Sequence, residues 1–202
     1  MKVKAATFDI GGVLYSDDAF KRAIFSALNQ LTKVSAADFD QVYLDHLKQP
    51  DGSLRSKLCI SFLGSLDKKS ELMRLANEKW LFNDDDQYQD GKAALIGLQQ
   101  LGLKIGIVAN QPAASAERLK KDNLFDLIDF LGISALVGLE KPDPALFKLA
   151  IKELDLPADQ IIHIGNRIDT DVNPAKSLGM KTVWVRRGEA NPNPSKADLE
   201  AA

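Results

Sequence analysis

The chain has 202 residues, 45% hydrophobic and 27% charged, with a net charge of −2 and a pI near 5.7. That is globular composition, long enough for one sizeable core or a core with a small appended domain. Lys and Arg are scattered without a basic block, which argues against a nucleic-acid surface, and no window approaches the roughly 18 uninterrupted apolar residues of a membrane span.

A single cysteine, Cys59, rules out an internal disulfide and fits a reducing, cytoplasmic setting. The opening MKVKAATFDIGGVL has no long apolar core of the kind a signal peptide carries, so none is expected. No feature speaks to oligomeric state.

In chain order, the first short apolar run is residues 4–8 (KAATF), which predicts a strand. Residues 16–88 then show only helical spacing. Phe20, Ile24, Ala27, Leu28 and Leu31 make one stripe. Phe39, Val42, Tyr43, His46 and Leu47 make a second, opened by the box-like Ser35-x-x-Asp38. Leu58, Cys59, Phe62 and Leu63, then Leu72, Leu75, Ala76 and Trp80, predict two more. This is a helical insertion after the first strand, with hinges expected at residues 15–18 and 83–86.

From residue 89 onward strands and helices alternate. Helical spacing at Leu95, Leu98 and Leu101 precedes a strand at 104–109 (KIGIVA). Ala116, Leu119 and Leu124 suggest a helix before a weaker strand near 130–134. Leu146, Leu149, Ala150 and Leu154 predict a helix ahead of the strand 161–165 (IIHIG). A short helix over 171–178, closed by Gly179, leads to a last strand at 181–185 (KTVWV). None of the strands alternates cleanly, which suits a sheet covered on both faces. The order strand–helix–strand predicts a parallel α/β sheet with right-handed crossovers. The expected domains are a core of residues 1–15 and 89–190, a helical cap of residues 16–88, and a loosely ordered tail of residues 191–202.

Ligands of open parallel sheets bind beyond the carboxyl ends of the strands. That rule selects Asp9 after the first strand, Asn110 after the second and Asn166 after the fourth. Lys141 lies in GLEKPDP, just ahead of a helix. Asp9 reads either as a nucleophile able to take a phosphoryl group or as a capping residue in a turn. Gly11 and Gly12 permit close approach of a phosphate to main-chain N–H groups. Lys141 could neutralise both nucleophile and phosphate, or be a solvated lysine. In GNRIDTDV, Asn166, Asp169 and Asp171 could share an oxygen-rich Mg²⁺ site with Asp9; Asp171 could equally cap the helix that follows.

Together these stretches resemble the haloacid dehalogenase-like hydrolase superfamily. FDIGGVL resembles its first motif, Asp-x-Asp-Gly-Thr/Val-Leu. GIVANQP resembles the second, a strand ending in Ser or Thr and often followed by Asn. GLEKPDPALF is close to the third, and IIHIGNRIDTDVNPAKSLGMKTVWV follows the fourth. The four occur in the family's order over essentially the whole chain.

The resemblance implies a Rossmann-like core with a helical cap inserted after the first motif. It also implies a phosphatase that acts on a small phosphorylated molecule through an aspartyl-phosphate, with Mg²⁺. Asp9 would be the nucleophile and Lys141 the charge-neutralising lysine. Gly11, Gly12, Asn110 and Lys141 would bind phosphate. Asp9, the Gly11 carbonyl, Asn166 and Asp171 would hold the metal.

Three positions depart from the pattern. Gly11 replaces the acid that protonates the leaving group, Ala109 the phosphate-binding Ser or Thr, and Asn166 a metal-contacting Asp. The expectation is therefore weak or narrow activity, with weakly bound or absent Mg²⁺ unless Asp169 moves in. Asp17, Asp18 or a residue of the cap is a candidate replacement acid. Two alternatives follow from the departures: a non-catalytic member that binds a phosphorylated ligand or a partner protein, and a metal-free 2-haloacid dehalogenase in which Asp9 attacks carbon.

Overall fold

The computed structural model describes residues 2–49 and 52–201. Met1, Pro50, Asp51 and Ala202 fall within the expected core, cap and tail segments and lie outside the described residues.

Five strands make one sheet: β1 (Ala5–Phe8), β2 (Lys104–Ala109), β3 (Phe130–Ile133), β4 (Ile161–Gly165) and β5 (Lys181–Trp184). Every pairing is parallel and the order is β3-β2-β1-β4-β5. β1 is therefore central, and its last residue Phe8 lies opposite Ile107 of β2 and Ile164 of β4. All of β1 is buried. Ala6 and Phe8 join Ile105 and Ile107 on one face, while Ala5 joins Val108, Phe147 and Ile161 on the other. Burial on both faces is why the strands carry no apolar–polar alternation.

Four helices separate β1 from the rest of the sheet: α1 (Asp18–Leu31), α2 (Ala36–Lys48), α3 (Leu54–Leu63) and α4 (Lys69–Lys79). α1 buries Phe20, Ala23, Ile24, Ala27 and Leu28. α2 opens as its sequence predicts, with the Asp38 N–H donating to Ser35 Oγ at 3.1 Å. The Phe20 and Trp80 rings pack at 4.7 Å, and the Arg55 guanidinium stacks over both. α5 (Gln89–Gln100), α6 (Ala114–Lys121), α7 (Ser134–Val137), α8 (Pro144–Leu154) and α9 (Asn173–Ser177) connect the strands, and α10 (Lys196–Ala201) follows β5. The fold is thus a Rossmann-like parallel core with a helical insertion after its first strand. Among the described residues, no helix is long and apolar enough to cross a membrane.

The chain divides into two compact units. One holds the sheet and comprises the chain up to Ser16, Phe82–Ala190, and the chain from Ser195; the other comprises Asp17–Leu81 and Asn191–Pro194. Residues 82–88, expected with the helices, belong instead to the sheet unit. The reason is long-range pairing that leaves no periodic trace. The Phe82 ring packs on Tyr15 at 4.7 Å. The Ser16 N–H donates to the Asp86 carbonyl and the Tyr88 N–H to that of Leu14. Arg118 donates to the Phe82 carbonyl and to Asp84. The tail, expected to be loose throughout, forms α10 over Lys196–Ala201.

Phe147 is fully buried in the α8 face of the core and meets the His163 ring edge-on, with centroids 4.9 Å apart. Phe147→Ala is expected to lower stability by about 3–5 kcal/mol, read as a fall in the urea midpoint at unchanged slope.

Candidate active site

The strand order brings the carboxyl ends of β2, β1 and β4 side by side, and the chain beyond each contributes to one cluster. The Asp9 N–H still pairs with the Ile164 carbonyl at 2.9 Å, so the Asp9 side chain is the first to leave the sheet. The loop behind it is tight. The Ile10 carbonyl accepts the N–H groups of Val13, Leu14 and Tyr15, and the Gly12 N–H donates to the Tyr15 carbonyl at 2.7 Å. Gly12 sits at φ +66°, in the left-handed region that a side chain would disfavour. Gly12 therefore shapes the turn but keeps its N–H inside it, contrary to the expectation that this group faces a phosphate. Among the described residues, no such internal bond uses the Gly11 N–H.

Lys141 is the centre of the cluster. It is 4% exposed, and its ammonium lies 3.0 Å from Asp9 Oδ1 and donates to Asp171 Oδ1. Its main chain is held by Asn110, whose Oδ1 accepts the Lys141 N–H at 2.8 Å and whose Nδ2 donates to the Lys141 carbonyl at 2.7 Å. Asn110, expected to bind phosphate, thus uses its amide to fix the lysine. Ala109, where a hydroxyl was missing in the sequence, is fully buried at the end of β2.

Asp171 is fully buried, and it does not cap a helix. The chain makes a wide π-helical turn over Ile168–Val172 before α9, which turns Asp171 inward. Its Oδ2 accepts the Arg167 N–H at 3.0 Å. A Cβ on Gly165 would collide with the Asp171 side chain, so the strand must end in glycine for the carboxylate to enter. His163 lies beneath, its Nε2 3.5 Å from Asp171 Oδ1 and its Nδ1 3.0 Å from Thr7 Oγ1. In sequence His163 carries no mark beyond its place in IIHIG, because a strand buried on both faces gives no signal that one side chain reaches a neighbouring loop.

The charges are unequal in their effects. Burial would lower the Lys141 pKa, but the Asp171 and Asp9 carboxylates outweigh it and hold the ammonium above its ordinary value. Burial pushes Asp9 up to about 6, against Lys141 and with the help of the Asp171 charge. Burial also penalises the Asp171 carboxylate, yet Lys141 and His163 keep it below the ordinary carboxylate range. Burial pushes His163 below its ordinary value, against the pull of Asp171. One ammonium faces two carboxylates, and Asp9 carries the excess.

A divalent cation is implied by the resemblance, but the donor set does not fit a resident one. Asp171 receives Lys141 and the Arg167 N–H. Asp9 Oδ1 accepts the Ile10 N–H at 2.7 Å and faces the lysine. Asn166 is a neutral amide whose Nδ2 donates to the Arg187 carbonyl. Asp169 does not move in: Arg167 grips both its oxygens, at 3.0 and 2.6 Å. Among the described residues, no three His, Cys, Asp or Glu side chains form a group that could hold a metal ion. A hard cation favours several anionic oxygens, and here the Lys141 ammonium already occupies the place between the two carboxylates.

The family model described as haloacid dehalogenase-like hydrolase matches residues 3–179. The chain belongs to this family. Among characterised relatives, the glyceraldehyde 3-phosphate phosphatase of Pyrococcus abyssi is 32% identical over 56% of this chain and 52% of that protein. The enzyme of the same name from Pyrococcus furiosus is also 32% identical, over 48% of this chain and 41% of its own. The matched region thus spans about half the length of these two relatives. The Methanocaldococcus jannaschii glyceraldehyde 3-phosphate phosphatase is 27% identical over 93% of this chain and 86% of its own. Two solved structures share the fold. A haloacid dehalogenase-like hydrolase from Bacteroides fragilis has a TM-score of 0.77 at 20% identity, covering 99% of this chain and 93% of that one. A predicted phosphoglycolate phosphatase from Haemophilus somnus has a TM-score of 0.77 at 20% identity, covering 98% and 92%.

For this family member the raised Asp9 carboxyl gives a signed pH effect. A folded pKa of about 6 against an ordinary 3.8 means the folded state holds the proton more tightly. The stabilisation is complete below about pH 4 and is lost as pH rises through about 6, to roughly 3 kcal/mol. Asp9→Asn should remove that slope and be more stable than wild type at pH 7. Thermal unfolding of both proteins between pH 4 and 8 measures it; parallel profiles would contradict the assignment.

Proposed function

We propose that this hydrolase is a phosphatase of low or narrow activity, acting in the cytoplasm on a small phosphorylated metabolite through an aspartyl-phosphate on Asp9. One observation carries the reading: the carboxylate at the end of the central strand faces a buried lysine ammonium 3.0 Å away. The phosphatase names of the relatives support the reaction class, and the free, buried Cys59 suits a reducing compartment. The helical unit is assigned the part of the family's cap.

In the proposed reaction an Asp9 oxygen attacks phosphorus, a new P–O bond forms, and the bond from phosphorus to the leaving oxygen breaks. Lys141 offsets charge shared by the nucleophile and the phosphoryl oxygens. The Gly11 N–H, which the turn does not use, is a main-chain donor that could meet one of those oxygens. Asn110 and Asp171 keep the lysine in register. Water then attacks phosphorus of the acyl phosphate, releasing inorganic phosphate and restoring Asp9. No step here is routed through a divalent cation, which the donor set does not fit.

Gly11 brings no acid, so the leaving oxygen departs without a proton from that position. Activated leaving groups are favoured accordingly. A positioned general acid contributes about 10²–10⁴-fold, and alkyl phosphates should lag by that order. Breakdown of the aspartyl-phosphate also lacks the usual base.

A second reading is favoured by the missing acid at Gly11 and the neutral amide at Asn166: a non-catalytic member that binds a phosphorylated ligand. The two separate in one comparison. The phosphatase reading expects 4-nitrophenyl and acyl phosphates to turn over with a burst, a slow steady state, and loss of activity in Asp9→Asn. Equal rates on aryl and sugar phosphates without a burst would sink the mechanism. Absence of turnover, with thermal stabilisation by a phosphorylated ligand, would favour the binder.

A further inference from the structure

Arg187 takes no part in the reaction above, yet it has the densest set of polar contacts near the site. Its Nε donates to the Gly12 carbonyl at 3.0 Å and its Nη2 to the Val13 carbonyl at 2.7 Å. Its Nη1 pairs with both oxygens of Asp90, at 2.9 and 2.8 Å, and its guanidinium lies 3.8 Å from the Tyr88 ring centroid. The Arg187 carbonyl in turn accepts Asn166 Nδ2 at 3.2 Å. The Asn166 carbonyl accepts Trp184 Nε1 at 2.8 Å. A continuous run of bonds therefore ties the chain after β4 to the turn after β1, through the segment that follows β5.

Two features make this run specific. A planar fork of fixed donors reaches two carbonyls and both oxygens of a carboxylate at once, a geometry that the compact ammonium of a lysine does not reproduce. And only an amide at position 166 can donate to the Arg187 carbonyl. An ionised Asp is an acceptor and would set a carboxylate against a carbonyl. Asn166 is 1% exposed, where a polar side chain is kept only with its partners.

We propose that Asn166 is a structural donor and not a cation ligand: with Arg187 it forms a strap that holds the Gly12–Val13 turn beside Asp9. The departure at 166 is then an exchange, in which a side-chain amide donating a hydrogen bond to the Arg187 carbonyl stands where a carboxylate would face a cation. This rests on the phosphatase reading only for its bearing on turnover; the binding and main-chain effects stand without it.

The test uses the full chain and MgCl₂ as the probe, with calorimetry and thermal unfolding of wild type and Asn166→Asp. Wild type should show no saturable response. Asn166→Asp should unfold at lower temperature without metal and bind Mg²⁺ at least about tenfold more tightly than wild type. Saturable Mg²⁺ binding by wild type, as tight as by the variant, would overturn the proposal. If Asn166→Asp does not fold, the wild-type Asn166 side-chain amide resonances decide. They should be protected from exchange and unmoved by Mg²⁺, and a saturable shift would refute the strap. Neither readout needs turnover, so an inactive protein would defeat the phosphatase reading and leave this one standing.

Discussion

The structure depends most on the Lys141 ammonium. It joins Asp9, beyond β1, to Asp171, beyond β4, while its own main chain is held by Asn110, beyond β2. Three adjacent strand ends meet at one buried cation. Taking that charge out of water is expensive, and the expense is met only because both carboxylates are close and well oriented. Removing the ammonium would leave two buried anions facing each other, which is worse than removing either anion. The same imbalance, one positive charge for two negative, raises Asp9 and leaves Asp171 firmly ionised. The packing of the site and its charge state thus have one source.

The parallel core was legible because its strands are short, apolar throughout and separated by helical spacing. The runs at Lys104–Ala109 and Ile161–Gly165 coincide with β2 and β4. The helical insertion was legible from its stripes. What escaped the sequence reading was set by contacts between distant residues. Phe82 and Tyr15 touch across most of the insertion, so the second boundary is fixed by a ring pair and not by local composition. Arg187 lies at the very end of the expected core, beside a stretch rich in Gly, Asn and Pro, yet it reaches carbonyls more than 170 residues earlier in the sequence, as in its bond to Val13 (|i−j| = 174). Asp171 reads in sequence either as a site carboxylate or as a helix cap; only the wide turn and the space left by Gly165 show that it turns inward.

The departures from the family pattern also look different in three dimensions. In sequence, Gly11, Ala109 and Asn166 are three separate losses. In the folded chain they differ in kind. Ala109 is a plain absence, a buried methyl where a hydroxyl could have met phosphate. Gly11 removes an acid but keeps a main-chain donor. Asn166 is fully engaged, donating to Arg187. A site decaying without selection for shape would be expected to leave unsatisfied polar atoms, since such atoms carry no benefit and a cost when buried. Asn166 instead has a partner that an Asp could not use.

This arrangement bears on what kind of phosphate the site could process. With the Gly12 N–H closed into its turn and no hydroxyl at 109, the charge on a bound phosphoryl group falls mainly to Lys141 and the Gly11 N–H. Lys141 is already shared with two carboxylates, so a doubly charged phosphate monoester adds to an existing negative excess. That favours substrates whose leaving oxygen takes up charge readily, because negative charge then moves away from the crowded centre as the bond breaks. The leaving-group preference proposed for Gly11 on grounds of proton transfer is therefore reinforced by electrostatics at Lys141, a different interaction acting in the same direction.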